Sequence, residues 1–452
     1  MTEATVLHQL TAAQAAELVR TKEISPVELV EAFIERARAV EKRVQAWEIL
    51  DEEGALAAAR AAETALYGDD PKTVGLLHGV PFGVKDLFDV AGLPTGAGFE
   101  PFKARAARRD SGAVKRMRRE GGVPLGKLVT TQFAQSPPSK TRNPWNLEHT
   151  PGGSSSGSGA GVAAREVPLA LGSQTNGSVL RPAAYNGVVG LKPTHGRVSK
   201  RGVFPISWSM DHVGVLTRTV EDCELFLRAT AGQDPEDPDS AERPLPDRRG
   251  EGAEAPAFGL LMDVLERAEP EIAEHVAETT RRFEAEGARV REVYLEEPFD
   301  LVLAVHQVIM QTDAATVHSG LLEQYPEHYA PRLRAYLQVG GVLPGASYVH
   351  AQRLRRRIAA DMNRCLDGVD ALLLPATMDL PPRIDSGTTG NRSAQTPFSL
   401  LGLPAISLPS GLSGERLPLA IQLAGPRWQE AKLLQTARWC EERLGPMPAP
   451  GL

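Results

Sequence analysis

The segment TPGGSSSGSGA, residues 150–160, decides what kind of protein the rest of the chain can form. It holds four serines and four glycines in eleven positions. This composition favours a flexible linker, because glycine and serine have little side chain to bury. A phosphate-binding loop and a catalytic loop are the alternatives. The sequence on either side of the segment has to distinguish the three.

The composition is that of an ordinary globular protein. Of the 452 residues, 42% are hydrophobic and 24% are charged, which excludes a disordered or fibrous chain. The formal net charge is −7, so the protein as a whole does not attract nucleic acid or an anionic membrane. Two basic runs, 103–119 and 353–357, lack aromatic residues that would stack on bases. We interpret both as solvated helix faces and expect neither partner.

The cysteines and the first residues indicate a cytoplasmic protein. Cys223, Cys365 and Cys440 are far apart and odd in number, which argues against a disulfide framework and CxxC metal sites. The start, MTEATVLHQLTAAQ, has no basic segment followed by an apolar one, and no apolar run reaches about 18 residues. We therefore expect a reducing compartment.

Alternating strand-like and helix-like segments predict an α/β fold. The chain opens with two helix-capping boxes, which begin at Thr11 and Ser25. Apolar runs bounded by glycine and proline predict strands near 76–86, 167–173, 258–264 and 370–376. Helical patterns lie at 270–285 and 350–365, and the runs 405–411 and 417–425 predict an antiparallel hairpin. We expect a large mixed, mostly parallel β-sheet covered by helices on both faces.

Two short motifs imitate well-known sites but fail in context. GGVPLGKL, residues 121–128, has the spacing of a P-loop, yet Leu128 replaces the Mg²⁺-binding Ser or Thr and Pro124 removes a phosphate-facing N–H. Residues 153–157 match GxSxG, but no strand precedes Ser155, as a nucleophile elbow requires.

The histidines do not form a recognisable site. They are scattered along the chain, and the HExxH and SxxK motifs are absent. A serine-histidine-aspartate site therefore cannot be assembled from the sequence, and we assign structural roles to His195 and His212.

A longer series of motifs is specific. In chain order it comprises GVPFGVKD (79–86), NPWN (143–146), TPGGSSSGSGAGVAA (150–164), ALGSQTNGSVLRPAAYNGVVGLKPTHGRVS (170–199) and DHVGVLTRTVED (211–222). In order and spacing these segments resemble the amidase signature family, and such a series arises by chance far less readily than one short motif. The resemblance implies a single amidase domain over 1–452, with a helical layer at about 8–70. The divergent part, about 290–360, is then the expected substrate-pocket region.

The resemblance implies an amide hydrolase that works through an acyl-enzyme. Its nucleophile would be Ser178, and Ser154 would pass a proton from Ser178 to Lys85. In the family the bridging serine follows a cis peptide bond, here Gly153–Ser154. The oxyanion hole would consist of the backbone N–H groups of Thr175, Asn176, Gly177 and Ser178. No metal, nucleotide or other cofactor is expected, and the substrate would be a small-molecule amide.

The residues themselves are compatible with this chemistry. An amide carbonyl is a poor electrophile, so its hydrolysis needs an activated nucleophile and a stabilised oxyanion. Lys85 ends the apolar run VPFGV, where desolvation would lower the pKa of its amine towards the working range. A strand-end lysine paired with Asp86 would be the default interpretation if Lys85 stood alone. The glycines would permit close chain approach in the loop. Three further serines would support it by hydrogen bonding: Ser155, Ser156 and Ser158.

The chain departs from the commonest family pattern around the nucleophile. Gln174, Asn176 and Leu180 stand where that pattern has Asp, Gly and Arg, and Arg181 lies one place further on. Asn186 stands where many relatives carry Cys. The backbone of Asn176 can still donate to an oxyanion, and its side chain is a candidate pocket residue that would alter substrate choice.

Three functions remain open at this level. The first is a free-standing amidase, for which a homodimer is the expected assembly and for which esters and carbamates are further candidate substrates. The second is the glutaminase subunit of an aminoacyl-tRNA amidotransferase, which works with partner subunits. The third is a catalytically silent binding member of the family. Gln174 and Asn176 favour the first function, and the presence of all three triad positions disfavours the third.

The substrate pocket is expected to use two segments, 128–133 and 300–350. The second contains apolar residues that would form a wall of the pocket: Leu301, Val302, Val305, Val308, Ile309 and Met310. Ordinary core packing of a helix is the alternative explanation for these residues.

Overall fold

The computed structural model describes residues 6–68, 74–248 and 254–452. Within these ranges the strands are β1 (Trp47–Leu50), β2 (Pro81–Lys85), β3 (Val123–Leu128), β4 (Leu169–Gln174), β5 (Val189–Lys192), β6 (His212–Thr217), β7 (Ala257–Leu261), β8 (Arg289–Val293), β9 (Ala371–Pro375), β10 (Ala405–Leu412) and β11 (Pro418–Ala424). The α-helices are α1 (Ala12–Arg20), α2 (Pro26–Val44), α3 (Glu52–Gly68), α4 (Gly112–Arg119), α5 (Ser156–Ala163), α6 (Leu180–Asn186), α7 (Val220–Thr230), α8 (Met262–Leu265), α9 (Pro270–Ala285), α10 (Phe299–Gln324), α11 (Pro331–Val342), α12 (Gly345–Leu366), α13 (Thr396–Leu401) and α14 (Glu430–Leu444).

These strands form one mixed sheet of 11 strands in the order β1-β3-β2-β4-β6-β5-β10-β11-β9-β7-β8. Every residue of β2, β3, β4, β5, β6, β9 and β11 is buried. Strands buried along their whole length need cover on both faces of the sheet. The predicted large mixed sheet with helices on both faces is therefore confirmed.

The expectation that the sheet is mostly parallel is wrong. Six neighbouring pairs are antiparallel and four are parallel. The predicted hairpin, β10–β11, lies between β5 and β9 and pairs antiparallel with both. Strand β6 also lies between β4 and β5 and runs against each of them. Alternating helices and strands do not fix strand direction, because a later strand can insert between two earlier ones.

The N-terminal helices begin where their caps predict. Thr11 and Ser25 each accept a hydrogen bond from the backbone three residues on, and both capping boxes are complete. In α2 the helical spacing buries Val30, Phe33 and Ile34 against the core. Because the apolar residues recur on one face, packing of that face stabilises the helix more than its intrinsic propensity does.

One main hydrophobic cluster extends from Leu10 to Cys440. Cys223, Cys365 and Cys440 are buried and free. Within the described ranges, no helix combines the length and the hydropathy that a membrane span requires.

Candidate active site

The segment 150–160 is not a linker. From Thr150 to Ala160 every residue is buried, and α5 begins at Ser156 inside the segment. A Cβ added to Gly157 would lie 2.5 Å from the backbone nitrogen of Val129, so the chain approaches β3 too closely for any side chain. The segment is thus a tightly packed turn and helix beneath the carboxyl end of β2.

The serine hydroxyls of this loop bind the backbone, as predicted. Ser156 Oγ donates to the carbonyl of Gly152 at 2.9 Å, and Ser158 Oγ donates to that of Leu171 at 2.9 Å. Ser155 Oγ donates to the carbonyl of Ser178 at 2.5 Å. Ser155 is therefore occupied in holding the neighbouring loop, which agrees with rejecting it as an elbow nucleophile.

Lys85 lies at the end of β2 and is completely buried. Its Nζ is 2.7 Å from Ser154 Oγ, 3.0 Å from Ser173 Oγ and 3.3 Å from the Ser173 carbonyl oxygen. Burial lowers the pKa of the Lys85 amine well below its ordinary value, and the more distant charge of Asp211 acts in the opposite direction. Burial therefore favours the neutral amine, which is the form that can accept a proton.

The default pairing of Lys85 with Asp86 is not formed. The carboxylate of Asp86 instead makes an ion pair with Lys127 on β3, with Nζ and Oδ1 2.8 Å apart. Lys127 also donates to the carbonyl of Pro94 at 2.8 Å. The lysine of the P-loop-like motif is thus a structural residue on a strand, as its context suggests.

Ser154 and Ser178 belong to adjacent backbone segments. The peptide bond between Gly153 and Ser154 is cis. The carbonyl of Ser178 accepts hydrogen bonds from the hydroxyl of Ser155 at 2.5 Å and from its N–H at 3.4 Å. Ser178 is half-buried, whereas Ser154 is 2% exposed. Among the residues that the structure describes, no hydrogen bond joins the hydroxyls of Ser154 and Ser178.

The loop 175–178 leaves its backbone N–H groups without acceptors within the described part of the chain. Its carbonyls, by contrast, are held. His306 Nε2 lies 3.0 Å from the Thr175 oxygen, Ser399 Oγ donates to that of Asn176, and the Arg181 N–H donates to that of Gly177 at 3.0 Å. In a trans peptide unit the C=O and the following N–H point in opposite directions. Anchoring three carbonyls therefore directs the N–H groups of residues 176–178 away from the anchoring groups, as an anion site requires.

Gln174 shapes this loop from its first residue. Its side-chain oxygen accepts the backbone N–H groups of Val179 at 2.8 Å and Leu180 at 3.0 Å, and its Nε2 donates to Ser399 Oγ at 3.0 Å. The glutamine thus satisfies the two N–H groups that follow Ser178 and ties the loop to α13.

Arg181 supports the loop that carries Ser154. Its guanidinium donates to the carbonyl of Gly153 at 2.6 Å, to that of Gly390 at 2.7 Å and to Thr389 Oγ1 at 2.9 Å. Burial lowers the pKa of Arg181 to about 10. The arginine that lies one place after the usual family position therefore connects the two serine loops.

Four residues that contact the site were not identified from the sequence: Ser173, Asp211, His306 and Ser399. Ser173 lies in the motif 170–199 and Asp211 in the motif 211–222. Their place in motifs of the family could have marked them as candidate site residues. The Asp211 carboxylate accepts from Thr175 Oγ1 at 2.6 Å and from the N–H of Ile206 at 2.8 Å, and burial raises its pKa to about 6. His306 and Ser399 lie on α10 and α13, where no motif marks them.

The two predicted pocket segments meet in the structure. Gln132 donates from Nε2 to the carbonyl of His328 at 2.8 Å, and its Oε1 accepts the N–H of Ala330 at 2.9 Å. The Phe133 ring lies 4.5 Å from that of His318, centroid to centroid. The apolar residues proposed as a wall are mostly core residues, since four are buried in the main cluster: Val302, Val305, Ile309 and Met310.

The histidines named in the sequence analysis bind backbone groups. His212 Nδ1 lies 2.6 Å from the Met210 carbonyl, and burial lowers the pKa of its ring well below the ordinary value. His195 Nε2 lies 3.2 Å from the Trp208 carbonyl, and its pKa falls to about 4 on burial. Neither contacts Ser154 or Ser178 through a described hydrogen bond, which agrees with structural roles.

Comparison with known proteins identifies the family. The Amidase family model matches residues 28–434. The chain belongs to the amidase signature family. A protein called amidase from Pseudomonas putida is 36% identical over 93% of each chain, and a glutamyl-tRNA(Gln) amidotransferase subunit from Roseiflexus castenholzii is 34% identical over 95% of each. The structure of a bacterial aryl acylamidase of the amidase signature family superposes with a TM-score of 0.88 at 26% identity, covering 97% of both chains.

This amidase signature protein is a hydrolase that acts on the C–N bonds of amides. The family membership and the amidase signature fold agree with the resemblance drawn from the five motifs.

Proposed function

We propose that this protein hydrolyses small-molecule amides through an acyl-enzyme on Ser178, with Ser154 as the proton relay and Lys85 as the base. One observation carries the proposal. A fully buried lysine amine is bound to the Ser154 hydroxyl and to Ser173, and makes no ion pair within the described residues. Burial lowers the pKa of this amine well below its ordinary value, which favours the neutral form, and a neutral amine is a general base.

The surroundings of Lys85 fit a neutral amine, which has two N–H groups and one lone pair. The carbonyl of Ser173 accepts one N–H, and Ser173 Oγ accepts the other. Lys85 Nζ lies 2.7 Å from Ser154 Oγ and donates to it as an ammonium; in the neutral amine that we propose as the base, the Ser154 hydroxyl donates to the nitrogen lone pair instead. Ser154 Oγ is in turn left as an acceptor for the proton of Ser178.

The reaction follows from this arrangement. The Ser178 hydroxyl rotates towards Ser154, and its oxygen attacks the amide carbon while its proton moves to Ser154 and the Ser154 proton moves to Lys85. The N–H groups of the 175–178 loop stabilise the oxyanion. The C–N bond then breaks, and Lys85 returns the proton through Ser154 to the leaving amine or ammonia. Water releases the carboxylate by the same relay.

The cellular setting belongs to the same proposal. We infer a cytoplasmic enzyme that binds a small amide and neither nucleic acid nor membrane, and that assembles as a homodimer. The names of the relatives, amidase and aryl acylamidase, support small amides as the substrate class. Esters and carbamates would form the same acyl-enzyme and are further candidates.

A glutaminase subunit of an aminoacyl-tRNA amidotransferase is the second candidate. The identity of 34% to the Roseiflexus castenholzii amidotransferase protein over 95% of each chain supports it. The two candidates differ in their dependence on partners. Purified single chain that hydrolyses aryl or alkyl amides but not glutamine supports the first, and activity on glutamine only with added partner subunits supports the second.

Covalent labelling tests the nucleophile directly. A serine-directed phosphonate should add one label to the wild type at Ser178 and none to the Ser178→Ala variant, which should also lose amidase activity. Label on another serine, or undiminished activity in Ser178→Ala, would contradict the proposal. Absence of both labelling and activity in the wild type would instead favour a silent binding member.

A further inference from the structure

The side chain of Asn176 does not extend freely into a pocket. It is 6% exposed and lies between α10 and α13. Its Oδ1 accepts from Thr396 Oγ1 at 2.8 Å, and its Nδ2 lies 3.5 Å from His306 Nδ1. The residue that departs from the usual family glycine is thus held on both sides by helices of the C-terminal half.

His306 fixes the direction of these hydrogen bonds. Its Nε2 lies 3.0 Å from the Thr175 carbonyl oxygen, which can only accept, so Nε2 carries the proton. Burial lowers the pKa of His306 to about 4, so the ring is neutral and Nδ1 is an acceptor. Asn176 must therefore present Nδ2 to His306 and Oδ1 to Thr396. Thr396 Oγ1, which also lies 3.0 Å from the Arg392 carbonyl oxygen, donates to Asn176, Asn176 donates to His306, and His306 donates to the Thr175 carbonyl.

We propose that His306 and Asn176, here called the brace, are positioning residues that orient the N–H groups of the 175–178 loop towards the oxyanion. The brace binds this loop twice, at the Thr175 carbonyl and at the Asn176 side chain. It links the loop to α10, which lies in the divergent region, so the family motif and the variable part of the chain share one function. The inference rests on the proposed function, because it assigns the loop to oxyanion stabilisation.

A brace of this kind acts on the transition state rather than on substrate binding. The negative charge on the oxygen develops only after attack by Ser178, and misdirected N–H groups stabilise it less. The substrate carbonyl is neutral beforehand and depends less on their direction. Loss of the brace should therefore lower kcat with little change in KM.

The experiment compares three brace variants with one control. His306→Phe removes both hydrogen bonds while keeping a ring, His306→Gln keeps a donor and an acceptor, and Asn176→Gly restores the usual family residue. His275→Phe is the matched control: it removes a hydrogen bond of 2.7 Å between His275 on α9 and Ser410 on β10, neither of which belongs to the brace or the 175–178 loop. Each variant is assayed for kcat, KM, melting temperature and inhibition by a boronic acid analogue of the acyl group.

We expect kcat to fall about 10- to 100-fold in His306→Phe, with KM within about twofold of the wild type. The inhibition constant of the boronic acid should rise by a similar factor, whereas that of the carboxylate product should not. His306→Gln should recover most of the activity, Asn176→Gly should lose about 3- to 10-fold, and His275→Phe should retain full kcat. When His306→Phe and Asn176→Gly are combined, the two losses should not multiply, because one brace is removed.

The brace is overturned if folded His306→Phe has the kcat of the wild type. It is also overturned if His306→Phe loses kcat but binds the boronic acid as tightly as the wild type does. If His306→Phe does not fold, Asn176→Gly decides: a kcat equal to that of the wild type also overturns the brace. Labelling of Ser178 by the phosphonate separates the two proposals. Failure of the label refutes the proposed nucleophile, whereas normal labelling with unaffected His306 variants refutes the brace alone.

Discussion

Two buried lysines on neighbouring strands of this protein have different binding partners. Lys85 is the last residue of β2, and Lys127 lies in the neighbouring strand β3. Lys127 pairs in the sheet with Val84, the residue before Lys85. Both side chains are completely buried. Lys127 faces the carboxylate of Asp86 at 2.8 Å, whereas Lys85 faces the hydroxyls of Ser154 and Ser173.

The difference shows that the partner of a buried amine, and not its burial alone, decides its chemistry. Burial also lowers the pKa of Lys127, but the carboxylate of Asp86 at hydrogen-bond distance opposes that shift and favours an ion pair. Hydroxyl and carbonyl oxygens oppose such a shift much less, and burial lowers the pKa of Lys85 well below the ordinary value. One lysine forms an ion pair in the core, and the other is the base in the mechanism that we propose.

Replacing Lys85 gives the largest expected difference between the two sites. Lys85→Met should lower kcat about 100- to 10,000-fold, because the relay from Ser178 loses its proton acceptor. Its melting temperature should stay near that of the wild type, since no buried charge loses a partner. Steady-state kinetics and thermal unfolding measure the two effects. Retention of more than about a tenth of the activity would rule out Lys85 as the base.

Replacing Lys127 should have the opposite profile. Lys127→Met leaves the Asp86 carboxylate buried without its cation, which should lower the free energy of unfolding by about 3–5 kcal/mol. The double variant with Asp86→Asn should recover part of this loss. Denaturant unfolding measures both, and the folded fraction should retain much of its activity. A variant as stable as the wild type would show that the ion pair contributes little.

The pH profile of the activity tests the contrast through Asp211, whose negative charge acts on Lys85. Activity should rise with pH as the Lys85 amine loses its proton. The negative charge of Asp211 favours the ammonium form and so raises the pKa of Lys85, against the larger effect of burial. Asp211→Asn should therefore move the rising limb of kcat/KM to lower pH. The two profiles should separate above about pH 6, where Asp211 is ionised in the wild type. A limb that moves to higher pH contradicts this assignment.

Replacing Ser173 should have the smallest effect on activity. Ser173→Ala removes the hydroxyl 3.0 Å from Lys85 Nζ and leaves the carbonyl in place. One neutral hydrogen bond contributes about 0.5–1.5 kcal/mol, so kcat should fall about 2- to 12-fold. Ser173→Thr, which keeps the hydroxyl, is the matched control. A loss as large as that of Lys85→Met would assign Ser173 a direct part in proton transfer.

Local features of the fold were predictable because their causes are local. The capping boxes at Thr11 and Ser25, the strand that ends at Lys85 and the β10–β11 hairpin depend on residues within a few positions of each other. Strand order and direction were not, since β6 separates β4 from β5 and the hairpin separates β5 from β9. Such insertions depend on which distant strands bury each other's faces.

The candidate site divides in the same way. Lys85, Ser154 and Ser178 could be named because the motifs that carry them resemble those of a family, although the catalytic roles remain a proposal. Ser173 and Asp211 lie in those motifs, yet nothing in the sequence says that one touches Lys85 and the other Thr175. His306 lies 130 positions after Asn176, and only packing of α10 against the loop brings them together.

Residue type at short or characteristic spacing was enough to predict the starts of α1 and α2, the strands β2, β4, β7 and β9, the β10–β11 hairpin and the family. Only the folded chain establishes which partner each buried lysine meets, which carbonyls of the 175–178 loop are anchored, and how the strands are ordered. The physical reason is that a pKa or a hydrogen-bond direction depends on atoms within a few ångströms in space, and the fold draws those atoms from distant parts of the chain.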